Sequence, residues 1–459
     1  MELPAAIAET LRRYGQTHLV AGWNSLEESE REQLLSELES VDFAQIVALH
    51  ARRREPAGAL ASKELRPLDF LPLAHQTAAT RARWEELAEP AFRNGEVAAL
   101  LVAGGQGTRL GHNGPKGSFD FGLPSGKTLF ELQAQRLLHL GRRYGRAIPW
   151  LVMTSQLNDA DTRSFFAEHG FFGLEEKDVF FFSQGQLPAI DEEGKLLLET
   201  PCQLALVPDG NGGVFRALER SGGLEFLKER GVKSLFLYSV DNAIVRVCDP
   251  MLIGFHLKNR RAVTCPVVRK ANAAERVGIF VETDEGSCVA EYSDISEEMR
   301  NAKNVMGQLL YDGANLAIHV LDVSVAESAA RESLPYHAAF KRVPWCRPDG
   351  AIVLPEKENA WTFEQFMFDV FPRFGHMAAI EVERSDWFAP IKNSSGNDSP
   401  ESALRMLLEL HARWLEKAGL LQPDDPRAFE ISPLCSYAGE GLKGKKLEDL
   451  VASGDLIQA

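Results

Sequence analysis

Apolar and polar positions change their rhythm near residue 97. Before it, apolar residues recur at helical spacing: Leu34, Leu35 and Leu38 share a face behind Ser25 and Glu28, which are spaced as a capping box. The ESEREQ stretch between them reads as a solvated helix face, and Pro67, Pro72 and Pro90 punctuate the later part. Residues 1–92 are therefore predicted as a mostly helical N-terminal domain. From Val97 the run VAALLVAGG is continuously apolar and stops at glycine, the pattern of a strand buried on both faces. Similar runs recur in PWLVMTS (149–155), SLFLYSVDN (234–242) and AIEVERS (379–385), alternating with helical stretches such as TLFELQAQRLLHLGRRYG. This alternation predicts an α/β fold with a mostly parallel central sheet over residues 93–392, and in such sheets ligands sit at the carboxyl ends of the strands. A helical stretch, SALRMLLELHARWLEKAG, and the loop-rich QPDDPR lead into a small C-terminal domain, residues 393–459.

Length and charge narrow the picture. A chain of 459 residues exceeds what one hydrophobic core usually serves. With 50 basic and 65 acidic residues the formal charge is −15, so the average surface repels nucleic acid and anionic lipid, and neither is expected as a partner. A phosphate ligand must be met by a local cluster of cations. The six cysteines are scattered without CxxC pairs or a Cys/His grouping of zinc type, as expected of free thiols in a reducing compartment. The N-terminus lacks the basic start and apolar core of a secretory signal, and no apolar run reaches membrane-spanning length, so a cytoplasmic protein is expected.

The segment richest in chemistry is LVAGGQGTRLGHNGPK, residues 101–116, where a strand runs into a turn dense in glycine that carries Arg109 and ends at Lys116. Glycines let backbone N–H groups line a concavity for phosphate oxygens, and the two cations supply the charge that the acidic chain otherwise lacks. An ordinary glycine turn with two solvated cations would explain a lone GxG, but this run is longer and denser. A dinucleotide fingerprint fits poorly, because Leu110 stands where GxGxxG needs glycine. The stretch from Gly122 to Thr128, GLPSGKT, is one residue too short for a P-loop, and Asp120-Phe121-Gly122 copies a kinase triplet without its partner motifs.

Taken with its continuation to LVAGGQGTRLGHNGPKGSFDFGLPSGKTLFELQAQR, this block resembles the signature of the eukaryotic-type UDP-N-acetylglucosamine pyrophosphorylases. QGQLPAI (184–190), PDGNGGVFRAL (208–218), VDN (240–242), EYSDIS (291–296), FMFDVF (366–371), PIKN (390–393) and EISPLCSYAGEGL (430–442) resemble its other blocks in the same order. The resemblance spans roughly residues 20–442. It implies a Rossmann-like nucleotidyltransferase core flanked by N- and C-terminal domains, with a divalent cation, normally Mg2+, at the active site.

The resemblance also implies roles. Asp241, after the strand SLFLYSV, would hold the metal on the α-phosphate. Ala103, Gly104, Gly105, Gln184 and Gly210 would bind the nucleotide, Gln184 pairing with the uracil edge as an amide offering donor and acceptor. Asn211, Glu291 and Asn315 would meet the sugar, Phe366 and Phe368 would wall it, and Lys392 would bring a phosphate-binding ammonium from a distant segment. Without the family match these residues read as turn, cap, core or solvated positions. Two departures stand out: GANLAIH (313–319) puts Ile318 where the family commonly has an amide, and VVRK (267–270) puts Arg269 where an acid is usual.

The implied reaction is attack by the phosphate oxygen of a sugar 1-phosphate, N-acetylglucosamine 1-phosphate first among them, on the α-phosphorus of UTP. Arg109, Lys116 and Lys392 would neutralise charge, and no protein nucleophile or general base is required. The rivals are a UDP-glucose or broad-specificity UDP-sugar pyrophosphorylase and a silent nucleotide-sugar sensor. The former carry a GHGD-like segment where this chain has Gly210-Asn211-Gly212-Gly213, and the retained cations argue against the latter.

Overall fold

A computed structural model describes residues 1–55, 64–292, 294–347, 349–423 and 425–459. Ser293 of the EYSDIS block and Asp424 of QPDDPR lie outside the described residues. The chain forms two compact units: unit 1 comprises Met1–Lys63, Gln184–Val214 and Ser333–Asp369, and unit 2 comprises Glu64–Ser183, Phe215–Glu332 and Val370–Ala459.

Unit 2 is built on an 11-stranded sheet. In chain order its strands are β1 (Arg66–Pro67), β2 (Val97–Val102), β3 (Trp150–Thr154), β4 (Val179–Ser183), β5 (Ser234–Ser239), β6 (Val263–Arg269), β7 (Ile279–Thr283), β8 (Gly286–Ala290), β9 (Gly313–Asn315), β10 (Ile318–Asp322) and β11 (Ala378–Glu381). They lie in the order β1-β7-β9-β6-β10-β5-β2-β3-β4, with β8 beside β7 and β11 beside β6. The apolar runs at residues 97, 150, 234 and 378 are therefore strands, as predicted. β5, β2, β3 and β4 run parallel, as does the β6–β11 pair. From β5 outward through β10, β6, β9 and β7 the pairing is antiparallel. The α/β class holds, with a mixed sheet.

Helices explain the parallel half. α1 (Ala78–Asn94) precedes β2, α2 (Leu129–Tyr144) carries the chain from β2 to β3, and α3 (Pro250–Asn259) follows β5. The strand residues Ala98–Leu101 and Leu235–Tyr238 have 0% exposure, as expected of strands covered on both faces. Phe130, Trp150 and Phe166 form the aromatic centre of this core, with ring centroids 5.0 Å apart for Phe130–Phe166 and 5.3 Å for Trp150–Phe166. Pro90 does not break α1: the helix runs through it, capped by Thr77 and ended by Gly95 at φ 75°. Burial of Trp84, Ala88, Ala91 and Phe92 on one face outweighs the hydrogen bond that proline removes.

α4 (Pro400–Ala418) starts at a Ser399–Ser402 capping box. Its Ala403, Leu407 and Leu410 join a cluster with Phe121, Leu123 and Leu129. At its other end Leu415 joins Phe429, Ile431, Leu442, Leu450 and Leu456.

Unit 1 packs helices Ala5–Arg13, Glu28–Ser40 and Phe43–Arg52 on short hairpins, around Leu11, Leu34, Leu38, Ile46, Ile190, Leu204 and Phe363. The capping box lies two residues later than expected. Glu27 is the cap, its N–H donating to Glu30 at 2.8 Å, because Ser25 is taken up in a short 3-10 turn.

Candidate active site

β2 and β5 are parallel neighbours with Val102 opposite Ser239, so the segments leaving their carboxyl ends start side by side. The glycine-dense segment leaves β2 and closes on itself. Lys116 N–H donates to the Gly105 carbonyl at 3.1 Å and Gly107 N–H to the Gly114 carbonyl at 2.9 Å. Asn158, from the turn after β3, donates its amide to the carbonyls of Ala103 (2.9 Å) and Gly105 (3.2 Å), fixing the first bend from outside. A Cβ on Gly107 would lie 2.8 Å from the His112 side chain, so this return is open only to glycine. Asp241 leaves β5. Its backbone carbonyl accepts Ile391 N–H at 2.8 Å, which draws the 387–392 segment, and with it Lys392, to the same place.

The outcome is a cluster of charge. Lys116 Nζ is 3.7 Å from Asp241 Oδ2. Burial pushes the Lys116 ammonium below its ordinary value, Asp241 opposes that shift, and the positive charges of Lys392 and Arg109 reinforce it. Lys116 thus lies beside one carboxylate and within electrostatic reach of two further cations, an arrangement that a polyanion relieves. Arg109 and Lys392 are exposed and Lys116 half-buried, so the cluster is open to solvent.

Among the described residues no group of three or more His, Cys, Asp or Glu could hold a metal. That excludes an all-protein cage in them. Asp241 is a carboxylate beside the cation cluster, and Mg2+ is commonly held by one or two carboxylates while waters and phosphate oxygens fill the remaining positions.

Glu291 and Asn315 flank Gly278 in the same unit. Asn315 N–H donates to the Gly278 carbonyl at 2.9 Å, and a Cβ on Gly278 would lie 3.2 Å from Glu291 Oε1. Asn315 Oδ1 accepts Ala317 N–H at 2.9 Å, which leaves its amide NH2 for a ligand. The two departures from the family pattern are occupied elsewhere. Ile318 is buried in the core at 1% exposure, and Arg269 binds Glu381 at 2.8 Å and also Asp312, while lying over the Phe70 ring.

The remaining candidates belong to unit 1. Gln184, 8% exposed, precedes the hairpin of Gln186–Pro188 and Leu206–Pro208. The loop that follows is laced onto the 365–367 segment. Gln365 N–H donates to the Asp209 carbonyl (2.7 Å), Gly212 N–H to the Gln365 carbonyl (2.8 Å) and Met367 N–H to Asn211 Oδ1 (3.0 Å). Gly210 has φ 86°, and a Cβ there would lie 2.4 Å from the Gln365 carbonyl oxygen. Only glycine serves. Phe366 and Phe368 stack with centroids 5.1 Å apart, and Phe366 also meets His337, whose Nε2 is 2.8 Å from Asp369 Oδ2.

The structure therefore brings Arg109, Lys116, Asp241 and Lys392 together beside Ala103, Gly104 and Gly105, pairs Glu291 with Asn315, and groups Gly210 and Asn211 with Phe366 and Phe368. Sequence reasoning missed Asn158, Asn242, Gln365 and His337. The polar run after β3 is a faint signal for Asn158, and the VDN triplet is one for Asn242.

Comparison with known proteins shows the family. The family model described as UTP–glucose-1-phosphate uridylyltransferase matches residues 60–448. UDP-N-acetylglucosamine diphosphorylase 2 of Arabidopsis thaliana is 38% identical over 468 residues, covering 95% of this chain and 91% of its own. The UDP-N-acetylglucosamine pyrophosphorylase of Saccharomyces cerevisiae is 37% identical, covering 97% and 98%. The crystal structure of the uridine diphosphate N-acetylglucosamine pyrophosphorylase from Trypanosoma brucei in complex with inhibitor superposes with a TM-score of 0.80 at 28% identity, covering 96% of this chain and 95% of its own. With a family match over residues 60–448 and relatives matched along nearly their whole lengths, the chain belongs to the UTP–glucose-1-phosphate uridylyltransferase family and is a nucleotidyltransferase.

Proposed function

We propose that the protein makes UDP-N-acetylglucosamine and pyrophosphate from UTP and N-acetylglucosamine 1-phosphate. The observation that carries this reading is that Lys116, beside Asp241 at the ends of two parallel strands, lies within electrostatic reach of Arg109 and Lys392. The choice of sugar is supported by the names of the relatives matched along nearly their whole lengths.

The chemistry follows from charge. The sugar phosphate oxygen is already ionised at neutral pH, so it needs no base, and the obstacle is repulsion between two polyanions. Arg109 and Lys116 take the β- and γ-phosphates on the glycine loop, where backbone N–H groups add donors. Lys392 takes the attacking phosphate, bringing its oxygen in line with the bond to pyrophosphate. As that bond breaks, negative charge grows on the leaving group and the hold of Arg109 and Lys116 strengthens. Asp241 would hold a divalent cation, Mg2+ in the ordinary case, which supplies charge neutralisation on the α-phosphate when bound. Glu291, Asn315, Asn211, Phe366 and Phe368 are assigned to the sugar, and Gln184 to the base. Six free thiols, five of them buried, support a reducing compartment, the cytoplasm. Among the described residues no helix is long and apolar enough to cross a membrane.

The test is pyrophosphate release from UTP and Mg2+ with a panel of sugar 1-phosphates. N-acetylglucosamine 1-phosphate should give the highest kcat/KM. Preference for glucose 1-phosphate would overturn the sugar, and silence with the whole panel would overturn the activity.

A further inference from the structure

The VDN triplet contributes Asp241 to the cluster, but its asparagine is the better connected residue. Asn242 is 3% exposed, and its side chain is spent on backbone. Nδ2 donates to the Trp387 carbonyl at 2.6 Å, while Oδ1 accepts Ala389 N–H at 3.0 Å and Ile244 N–H at 3.3 Å. On either side of it the two chains are stitched directly, Ala243 N–H to the Ala389 carbonyl (3.0 Å) and Ile391 N–H to the Asp241 carbonyl (2.8 Å). This joint is braced from α2, where Gln133 donates to the Val240 carbonyl at 3.1 Å and Arg136 to the Ala243 carbonyl at 3.2 Å. Beyond Lys392 the chain is held a second time, because the Asp398 carbonyl accepts Lys392 N–H and Asn393 N–H at 2.6 and 3.0 Å.

We propose that Asn242 is a positioning residue that sets the distance between the Asp241 carboxylate and the Lys392 ammonium, and so couples the group assigned to the α-phosphate to the group assigned to the attacking phosphate. The inference rests on the roles proposed above for Asp241 and Lys392. The physical argument is one of alternatives. An exposed lysine on a loop samples many positions, and its ammonium is useful in an in-line transfer only if its backbone is fixed relative to the acceptor phosphorus. A buried amide that satisfies a carbonyl and two N–H groups of two chain segments fixes them at little entropic cost, since its own side chain has few rotamers to lose. No apolar residue can replace it without leaving those three backbone groups unpaired.

The proposal makes two measurements move together. In Asn242→Ala, amide hydrogen exchange should speed up in peptides covering 240–244 and 387–393, with protection elsewhere in unit 2 unchanged. The second is a double-mutant cycle in kcat. Lys392→Ala should lower kcat by roughly 10² in the parent and by less than about tenfold in the Asn242→Ala background, because the ammonium is already misplaced there. A merely structural asparagine would give equal factors in both backgrounds, and that result overturns the proposal. Asn242→Asp keeps both acceptor contacts and loses the donation to Trp387, so it should show intermediate exchange; it serves in place of the alanine variant if that one does not fold. Unchanged exchange at 387–393 in a folded variant also overturns the proposal. Lack of turnover by the parent enzyme would refute the proposed function instead, and the exchange measurement would still judge the joint.

Discussion

Two neighbouring segments of unit 2 each carry glycines and a lysine near the C-terminal end, yet they do different work. In residues 104–116 the glycines fold the loop back on itself, and Lys116 ends beside Asp241 with Lys392 and Arg109 in reach. In residues 122–128 the glycines make a tight turn, with Gly122 and Gly126 at φ 95° and 69°. Here Ser125 gives its N–H and hydroxyl to Glu430 at 2.9 and 2.7 Å, and Lys127 Nζ lies 3.5 Å from the same carboxylate. Glu430, 1% exposed, sits on strand β12 (Phe429–Ile431) and takes both Ser125 donors and the Lys127 ammonium. The lesson concerns cancellation. One lysine is matched by a buried carboxylate and two further hydrogen bonds, and is spent on holding strand to loop. The other, beside one carboxylate, also feels two more cations and is left wanting an anion.

The comparison is broken most severely through the metal. Excess chelator should abolish turnover, by roughly a thousandfold or more, since charge neutralisation worth several kcal/mol is removed from the transition state. It should leave the thermal unfolding midpoint unchanged, because the 122–128 loop is held by Glu430, Ser125 and Lys127 without a metal. Substantial turnover in chelator would remove Asp241 from its assigned role.

Next in size, Arg109→Ala should lower kcat on the order of 10² while changing KM for UTP less, as loss of a preorganised charge acting on the leaving group does. Lys127→Ala is its control and should keep kcat within about twofold. Equal losses in two folded variants would show that the triphosphate does not lie on the 104–116 loop.

Lys127→Ala should instead cost stability, about 3 kcal/mol in urea unfolding, because Glu430 stays buried without its cation. A change under about 0.5 kcal/mol would mean that the two Ser125 hydrogen bonds suffice alone.

The smallest effect is a slope. His411, buried in α4, accepts Ile431 N–H at Nδ1 (3.0 Å), and burial pushes its pKa down to about 3. In the unfolded chain it titrates near 6.5, so between those values the unfolded state binds more protons. Stability is therefore full above pH 6.5 and falls as pH drops below it, by about 1.4 kcal/mol per unit from this group. Buried His319, also lowered to about 3, adds the same sign. His411→Asn, whose amide oxygen can take the place of Nδ1, should remove roughly half of the combined slope between pH 6 and 5. An unchanged slope would show that β12 is not the acid-sensitive support of the 122–128 loop.

What the sequence made legible was what is local. Strands β2, β3, β5 and β11 announce themselves as apolar runs, and the glycine loop with Arg109 and Lys116 is one contiguous segment, so its chemistry could be argued in place. The antiparallel side of the sheet was not legible, because the direction in which β6, β9 and β10 run depends on partners chosen by the fold. Asn158, Asn242 and Gln365 escaped for a related reason. Each pairs with backbone groups far along the chain, and a carbonyl leaves no mark in the sequence. Pro90 and the Ser25 cap misled because local preference was overruled, by a buried helix face in one case and a competing turn in the other.

The joint at Asn242 has a consequence in time. Its partners Trp387 and Ala389 stand 145 and 147 residues further along, so the strand that carries Asp241 emerges from the ribosome long before the segment that completes the joint. Closing so long a loop is slow and comes late. The residues of the glycine loop and of the parallel strands are all made while Lys392 is still unmade. On the role proposed for Lys392, catalytic competence waits until synthesis has passed residue 398, whose carbonyl holds the Lys392 backbone.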